Sequence, residues 1–269
     1  MAGRARLGSN GPGAHYLSDR GVAADLVRHA GIRPADLVLD LGAGTGAITA
    51  PLAAAGARVL AVERDERLAR RLTRRFAGDD RVRVVHGDLL RIPLPRRRHL
   101  VVANIPFSTA TALLHRLLDP PATALAGADL LLEWGMAVRL SAPRPGSLAG
   151  AWWAGRFSLR LVRRVPSACF SPPPSVDAAH LAIRPRDLAG DARGQRVLRT
   201  LLAAAYARPR APLRSAVAGT RSGAALSHRR LGRLLAGLDL DPGAPATSPT
   251  AQQWHDLTRL LLNGDGGGI

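Results

Sequence analysis

A buried strand that runs directly into a glycine-rich loop is the feature that most constrains the fold of this chain. Residues 36–41 are Asp-Leu-Val-Leu-Asp-Leu, and Gly-Ala-Gly-Thr-Gly follows at 42–46. Glycines at alternate positions let the backbone turn sharply and approach a ligand, and the helix pattern from Ala47 presents free N–H groups. The segment predicts a nucleotide-type site in an open α/β sheet. The loop alone fits a nicotinamide dinucleotide as well as S-adenosylmethionine.

Three more polar side chains stand at the ends of predicted strands. Glu63, Asp88 and Asn104 each follow an apolar run; the runs are 58–62, 82–86 and 99–103. In a parallel sheet these ends meet at one edge, where ligands bind. A carboxylate at Glu63 can accept both hydroxyls of a ribose, and one at Asp88 can accept an adenine amine.

The Asn-Ile-Pro-Phe turn at 104–107 carries the chemistry. Within one turn it offers an amide oxygen, a fixed backbone carbonyl and a flat stacking face. Adenine N6 needs such acceptors because its lone pair is delocalised into the ring. Alone, the tetrapeptide is more typical of a strand-ending turn with Phe107 as core filler. The four strand ends together favour methyl transfer over hydride transfer, which has no need of this turn.

The combined motifs resemble a known family. Residues 40–46, Glu63, 87–90 and 104–107 together are similar to the rRNA adenine N6-methyltransferases, which include Erm-type 23S enzymes and 16S dimethyladenosine transferases. Segments 13–19 and 170–177 extend the resemblance, which covers about residues 11 to 185.

The resemblance implies S-adenosylmethionine as the methyl donor and rRNA as the partner. We expect the donor to be bound by His15, Leu17, Gly42, Gly44, Gly46, Glu63, Arg64, Asp88, Leu89 and Asn104. We expect the catalytic group to be Asn104, Ile105, Pro106, Phe107 and Phe170. His15 departs from the family pattern, which has an asparagine there.

Within the family, Ile105 and Phe107 resemble the Erm branch, because the 16S enzymes usually carry leucine and tyrosine in this turn. Segments 131–134 and 157–161 also resemble Erm sequences. The preferred function is N6-methylation of a 23S rRNA adenosine in the peptidyl-transferase region, giving macrolide-type resistance. The alternatives are a 16S rRNA dimethyladenosine transferase, a catalytically inactive RNA-binding factor of the same fold and, last, a nicotinamide oxidoreductase.

The charge of the chain agrees with an RNA substrate. Lysine plus arginine number 38 against 20 acidic residues, which gives a net charge of +18. Such a surplus suits a polyanion. All 38 are arginine, a bias typical of a GC-rich genome, so the net charge is more informative than the choice of arginine. The single cysteine, Cys169, excludes an internal disulfide and a cysteine-cluster zinc site, and we expect no metal.

The pattern of elements predicts an α/β protein: a doubly wound, mostly parallel, seven-stranded Rossmann-like methyltransferase sheet with a small C-terminal helical domain. The expected divisions are a flexible basic arm at 1–13, a catalytic domain at 14–186, a basic helical domain at 187–263 and a disordered tail at 264–269. No apolar run approaches the roughly 20 residues of a membrane span. We expect a cytoplasmic monomer.

Overall fold

The structure, a computed structural model, describes residues 15–264. The predicted arm at 1–13 lies outside the described residues. So does the predicted tail, except for Gly264, which ends the last helix. No helix in the described part of the chain is long and apolar enough to cross a membrane.

The predicted seven-stranded sheet is confirmed. The strands are β1 (Tyr16–Leu17), β2 (Leu37–Leu41), β3 (Arg58–Glu63), β4 (Val82–His86), β5 (His99–Asn104), β6 (Leu125–Glu133), β7 (Phe157–Val165), β8 (Phe170–Ser171) and β9 (Ala178–Pro185). The large sheet has the order β4-β3-β2-β5-β6-β9-β7, and β1 pairs with β8 in a small antiparallel sheet. The pairs β3–β4, β2–β3, β2–β5 and β5–β6 are parallel. The small sheet has no counterpart in the sequence prediction, because two-residue strands leave no periodic signal.

The strand order reverses between β2 and β5, and this places the site. From β2 the chain builds outward through β3 to β4 and then returns to add β5 on the other side of β2. A crevice opens at such a reversal beyond the carboxyl ends of the strands. Gly42 follows β2 and Asn104 ends β5, so the two predicted motifs lie side by side.

Helices cover the sheet and make up most of the C-terminal region. They are α1 (Arg20–Ala30), α2 (Thr49–Ala54), α3 (Glu66–Arg75), α4 (Ala110–Leu118), α5 (Trp134–Leu140), α6 (Leu148–Arg156), α7 (Ala192–Ala207), α8 (Leu213–Ala218), α9 (Arg221–Ala224), α10 (His228–Ala236) and α11 (Ala251–Gly264). Asp19 and Asp65 cap α1 and α3, each accepting a backbone N–H of the first turn at 3.0 Å. β5 reads as an almost continuous apolar run because it is buried in the middle of a parallel sheet.

The chain divides into two compact units. One consists of the described parts of residues 1–115, 125–137 and 161–182, and the other of 116–124, 138–160 and the described part of 183–269. The sequence prediction placed one boundary at 186. That boundary stays a prediction; in the structure, the earlier segments 116–124 and 138–160 belong to the same compact unit as the C-terminal helices.

Arg156 helps to hold the segment at 116–124 in the second unit. Its side chain is fully buried, and its guanidinium donates to the carbonyl oxygens of Leu118 at 2.5 Å and Pro120 at 2.7 Å. It also stacks on Trp152, 4.5 Å from the ring centroid. Burial lowers the pKa of Arg156 to about 10, so the group stays charged and needs these acceptors. It therefore fixes the end of α4 and the turn after it to α6 within the second unit.

Candidate active site

A cavity of about 460 Å³ lies in the first unit at the carboxyl ends of the central strands. It is lined by His15, Tyr16, Gly42, Val62, Glu63, Arg64, Asp65, Glu66, Gly87, Asp88, Leu89, Asn104, Ile105, Pro106, Phe107, Ser108, Thr109 and Phe170. Its volume is within the range of small-ligand sites, about 300–1,000 Å³. Eleven of the fourteen residues predicted for the site line this cavity; Leu17, Gly44 and Gly46 do not.

The glycine loop bends across the end of β3. The backbone N–H groups of Gly42 and Ala43 both donate to the carbonyl oxygen of Val62 at 2.9 Å. Gly44 has a φ of +55°, and a Cβ there would lie 2.7 Å from Cδ1 of Tyr16. Glycine is therefore required at this position for both conformation and space.

Glu63 holds the loop in place while facing the cavity. Its buried carboxylate accepts the N–H of Gly44 at 2.8 Å through Oε2 and the N–H of Asp65 at 2.7 Å through Oε1. A carboxylate oxygen has two lone-pair directions, so each oxygen can still accept a hydroxyl. The arrangement suits the predicted recognition of a ribose.

Asp88 is oriented in the same way. Its Oδ1 accepts the N–H of Leu90 at 2.8 Å, and the N–H of Gly87 donates to the carbonyl oxygen of Glu63 at 2.9 Å. The two carboxylates are thus joined through the backbone. Leu89 is buried beside them and supplies an apolar surface for a base.

Asn104 is anchored by the N-terminal segment. Its Nδ2 donates to the backbone carbonyl oxygen of His15 at 2.8 Å, which assigns Oδ1 as the acceptor side of the amide. The N–H of Ile105 donates to the carbonyl oxygen of Leu131 at 3.1 Å and so continues the pairing of β5 with β6. Thr109 donates to the carbonyl oxygen of Pro106 through its N–H and its hydroxyl, at 2.9 and 3.0 Å.

The two predicted aromatic side chains enter the wall from distant parts of the chain. In the β1–β8 pair, Leu17 lies opposite Phe170. His15 donates from Nδ1 to the carbonyl oxygen of Pro172 at 2.9 Å, and its ring centroid lies 6.2 Å from that of Phe107. His15 therefore joins the segment before β1 to the segment after β8.

The remaining predicted residues, Leu17, Gly44 and Gly46, do not line the cavity. Leu17 and Gly44 line a small separate pocket of about 20 Å³. Gly46 lines neither pocket; a Cβ there would lie 2.7 Å from Cδ2 of Leu72 in α3. The structure therefore gives Gly46 a packing position against α3 rather than a place on the cavity wall.

Two residues that were not among the predicted site residues also belong to this region. Tyr16 lines both pockets, and burial, followed by the carboxylates of Glu63 and Asp65, raises the pKa of its phenol. Asp40 is buried and accepts the hydroxyl of Thr49 at 2.6 Å; burial raises its pKa to about 7. A charged residue within an apolar strand was the available signal for Asp40.

The residues present fit a donor that contains adenosine. Glu63 and Asp88 offer oriented carboxylate acceptors for hydroxyls and an amine, and Leu89 offers an apolar face. The glycine loop brings backbone close to the space beside them. Asn104 and Phe107 line the same cavity, with an amide oxygen and an aromatic ring available to a second ligand group.

Comparison with known proteins agrees with this geometry. The family model described as ribosomal RNA adenine dimethylase matches residues 9–236. Ribosomal RNA small subunit methyltransferase A of Synechococcus sp. (strain JA-3-3Ab) is 35% identical over 265 residues, covering 93% of this chain and 91% of the relative. The mycinamicin-resistance protein MyrB of Micromonospora griseorubida is 37% identical over 262 residues, covering 97% of this chain and 79% of the relative.

Among solved structures, the 23S rRNA methyltransferase ErmE has the same fold. It matches with a TM-score of 0.75 and 24% identity, covering 91% of this chain and 99% of that one. The family model spans most of the chain, and the cavity carries the family's motifs at the expected strand ends. The chain therefore belongs to the ribosomal RNA adenine dimethylase family of adenine N6-methyltransferases.

Proposed function

We propose that this methyltransferase modifies N6 of an adenosine in the peptidyl-transferase region of 23S rRNA and so makes its host resistant to macrolide-type antibiotics. The observation that carries the adenine chemistry is the anchored amide of Asn104, whose Nδ2 is bound by His15. The Ile105 and Phe107 side chains of the turn and the 37% identity to a mycinamicin-resistance protein support the 23S target.

S-adenosylmethionine is the methyl donor, and it supplies a methyl group already bound to a good leaving group. The donor side of the cavity therefore has to bind and orient. Glu63 accepts the ribose hydroxyls, Asp88 accepts the adenine amine, and the loop after β2 leaves room for the amino-acid portion.

The target side positions the attacking nitrogen. Oδ1 of Asn104 and the backbone carbonyl oxygen of Ile105 accept the two N6 hydrogens and stabilise the positive charge that develops on nitrogen. Phe107 stacks on the target base, which must leave its own stack to enter the cavity. Phe170 closes the other side of the base. Positioning and charge stabilisation are sufficient for the transfer, and no strong base is needed.

A second candidate is a 16S rRNA dimethyladenosine transferase. The 35% identity to a small-subunit methyltransferase over 93% of the chain favours it. Both candidate functions use the same cavity. The choice between them depends on which rRNA the protein binds so that an adenosine can enter the cavity.

The test is transfer of labelled methyl to two protein-free transcripts, one from the peptidyl-transferase region of 23S rRNA and one from the 3′ end of 16S rRNA. We expect label only in the 23S transcript, as N6-methyladenosine or its dimethyl form. Label only in the 16S transcript would replace the proposal with the second candidate. The same assays on assembled subunits cover the case in which only a ribosomal particle is a substrate.

A further inference from the structure

A buried polar cluster in the first unit lies outside the cavity. It consists of His29 near the end of α1, Asp129 in β6 and His180 in β9. Nδ1 of His29 and Nε2 of His180 lie 2.6 and 2.7 Å from the same oxygen, Oδ1 of Asp129. None of the three lines the cavity, so the proposed methyl transfer does not account for them.

The burial of this cluster needs an explanation. The side chains of Asp129 and His180 are 1% and 3% exposed, and they stand in strands that are otherwise largely apolar. Removing a carboxylate and two imidazoles from water is costly unless strong interactions replace the lost hydration. An apolar trio of similar size would pack the same space without that cost.

The arrangement has the composition of a metal site. One coordinating atom from each residue, two imidazole nitrogens and one carboxylate oxygen, lies within 4.8 Å of the other two. Two histidines and one carboxylate form a common three-ligand set for zinc, with water in the fourth position. Among the described residues, His29, Asp129 and His180 are the one group of three or more histidine, cysteine or acidic side chains whose ligand atoms lie this close together.

We infer that His29, Asp129 and His180 bind a divalent first-row metal ion, and we take Zn²⁺ as the ion to test because two histidines and a carboxylate are a known zinc ligand set. On binding, the ion takes the place of the two N–H···O contacts to Oδ1. Each imidazole then coordinates through the nitrogen that faced Asp129 and carries its proton on the other nitrogen. The side chain of His29 is 25% exposed, which gives the ion and its water a route from solvent.

A bound ion would join α1 to β6 and β9. α1 begins three residues after β1, the strand that pairs with β8 beside the cavity. The site is thus a structural clip for the helix that follows the N-terminal segment. The inference does not depend on which rRNA is the substrate.

The test is calorimetric titration of Zn²⁺ into the full-length protein after removal of metals with a chelator. Two variants each remove a ligand: His29→Ala, at a position whose side chain is 25% exposed, and Asp129→Asn, which is isosteric. We expect one site in the wild-type protein and affinity at least about tenfold weaker in both variants. His228→Ala, on the exposed start of α10, is the matched control and should bind as the wild type does.

Two further readouts separate a specific site from general effects. Co²⁺ should give visible absorption bands in the wild type that are lost in Asp129→Asn, and Zn²⁺ should raise the Tm of the wild type only. Circular dichroism of each variant checks that it is folded. Absence of binding to the wild type, or equal binding by all three variants, would overturn the inference and leave the cluster as a hydrogen-bond network.

Discussion

The donor side and the target side of the cavity are built in different ways. The donor side uses the carboxylates of Glu63 and Asp88, which accept backbone N–H groups two positions away and, for Glu63, also the N–H of Gly44, 19 positions away. The target side depends on contacts between distant segments: Asn104 with His15, 89 positions away, and His15 with Pro172, 157 positions away. The donor side is thus a local property of consecutive strand ends, whereas the target side forms only when three parts of the chain meet.

The strongest test of this contrast is Asn104→Ala. It removes the acceptor and the anchor to His15 together, and we expect methyl transfer to fall about 10³-fold. Donor binding, measured by calorimetry, should remain detectable because Glu63 and Asp88 keep their own backbone partners. Asn104→Asp is the matched variant, since it retains an acceptor oxygen but loses the Nδ2 donor. Near-normal transfer by Asn104→Ala would contradict the proposed mechanism.

Buried Asp40, in the strand before the glycine loop, provides a test of how ionisation affects the stability of the fold. Its pKa of about 7 in the folded protein lies above the unfolded value near 3.9, so the folded state binds more protons between these values. The free energy of unfolding should therefore fall as pH rises from about 4 to about 7, by up to about 4 kcal/mol from this group.

Urea unfolding across this pH range measures the effect in the wild type and in Asp40→Asn. The amide retains an acceptor for Thr49 and cannot ionise, so the variant should lack this part of the pH dependence. Asp239→Asn, at an exposed position, is the control and should keep it. An identical pH profile for Asp40→Asn and the wild type would show that Asp40 ionises without cost.

Gly44→Ala tests the close packing of the loop. Its Cβ would meet Tyr16 at 2.7 Å, and its φ of +55° disfavours alanine. We expect donor affinity to fall about tenfold, or about 1.4 kcal/mol. Gly31→Ala is matched in backbone conformation, with a φ of +62° and no atom within 4 Å of the added Cβ. It should lower stability without changing donor affinity; equal effects of the two variants on affinity would point to backbone strain alone.

His15→Asn gives the smallest expected effect and tests whether His15, which the family resemblance predicts to bind the donor, instead supports the target side beside Phe107. The backbone carbonyl that holds Asn104 remains, while the bond to Pro172 and the ring beside Phe107 are lost. Loss of one hydrogen bond of about 1 kcal/mol predicts about a fivefold fall in kcat/KM for RNA, with donor affinity unchanged. A larger effect on donor affinity than on RNA would place His15 on the donor side.

The same contrast determines what the sequence could predict. Strand ends at Glu63, Asp88 and Asn104 follow from apolar runs and the geometry of parallel sheets, and the fold class follows from their alternation with helices. The family resemblance placed Phe170 in the site, but its pairing with Leu17 is a long-range contact without a local signal. Position in the loop did not distinguish Gly46, which packs on Leu72, from Gly42, which faces the cavity.

The pairing of β1 with β8 has a consequence for synthesis of the protein. Asp88 and Phe170 are 82 positions apart in the chain, so a ribosome adds Phe170, the last residue of the target wall, long after the carboxylates of the donor side. Because the chain emerges from its N-terminus, β1 has to wait for β8 before the wall can close. The wall that faces the target base is therefore complete only after the chain has been synthesised through Phe170.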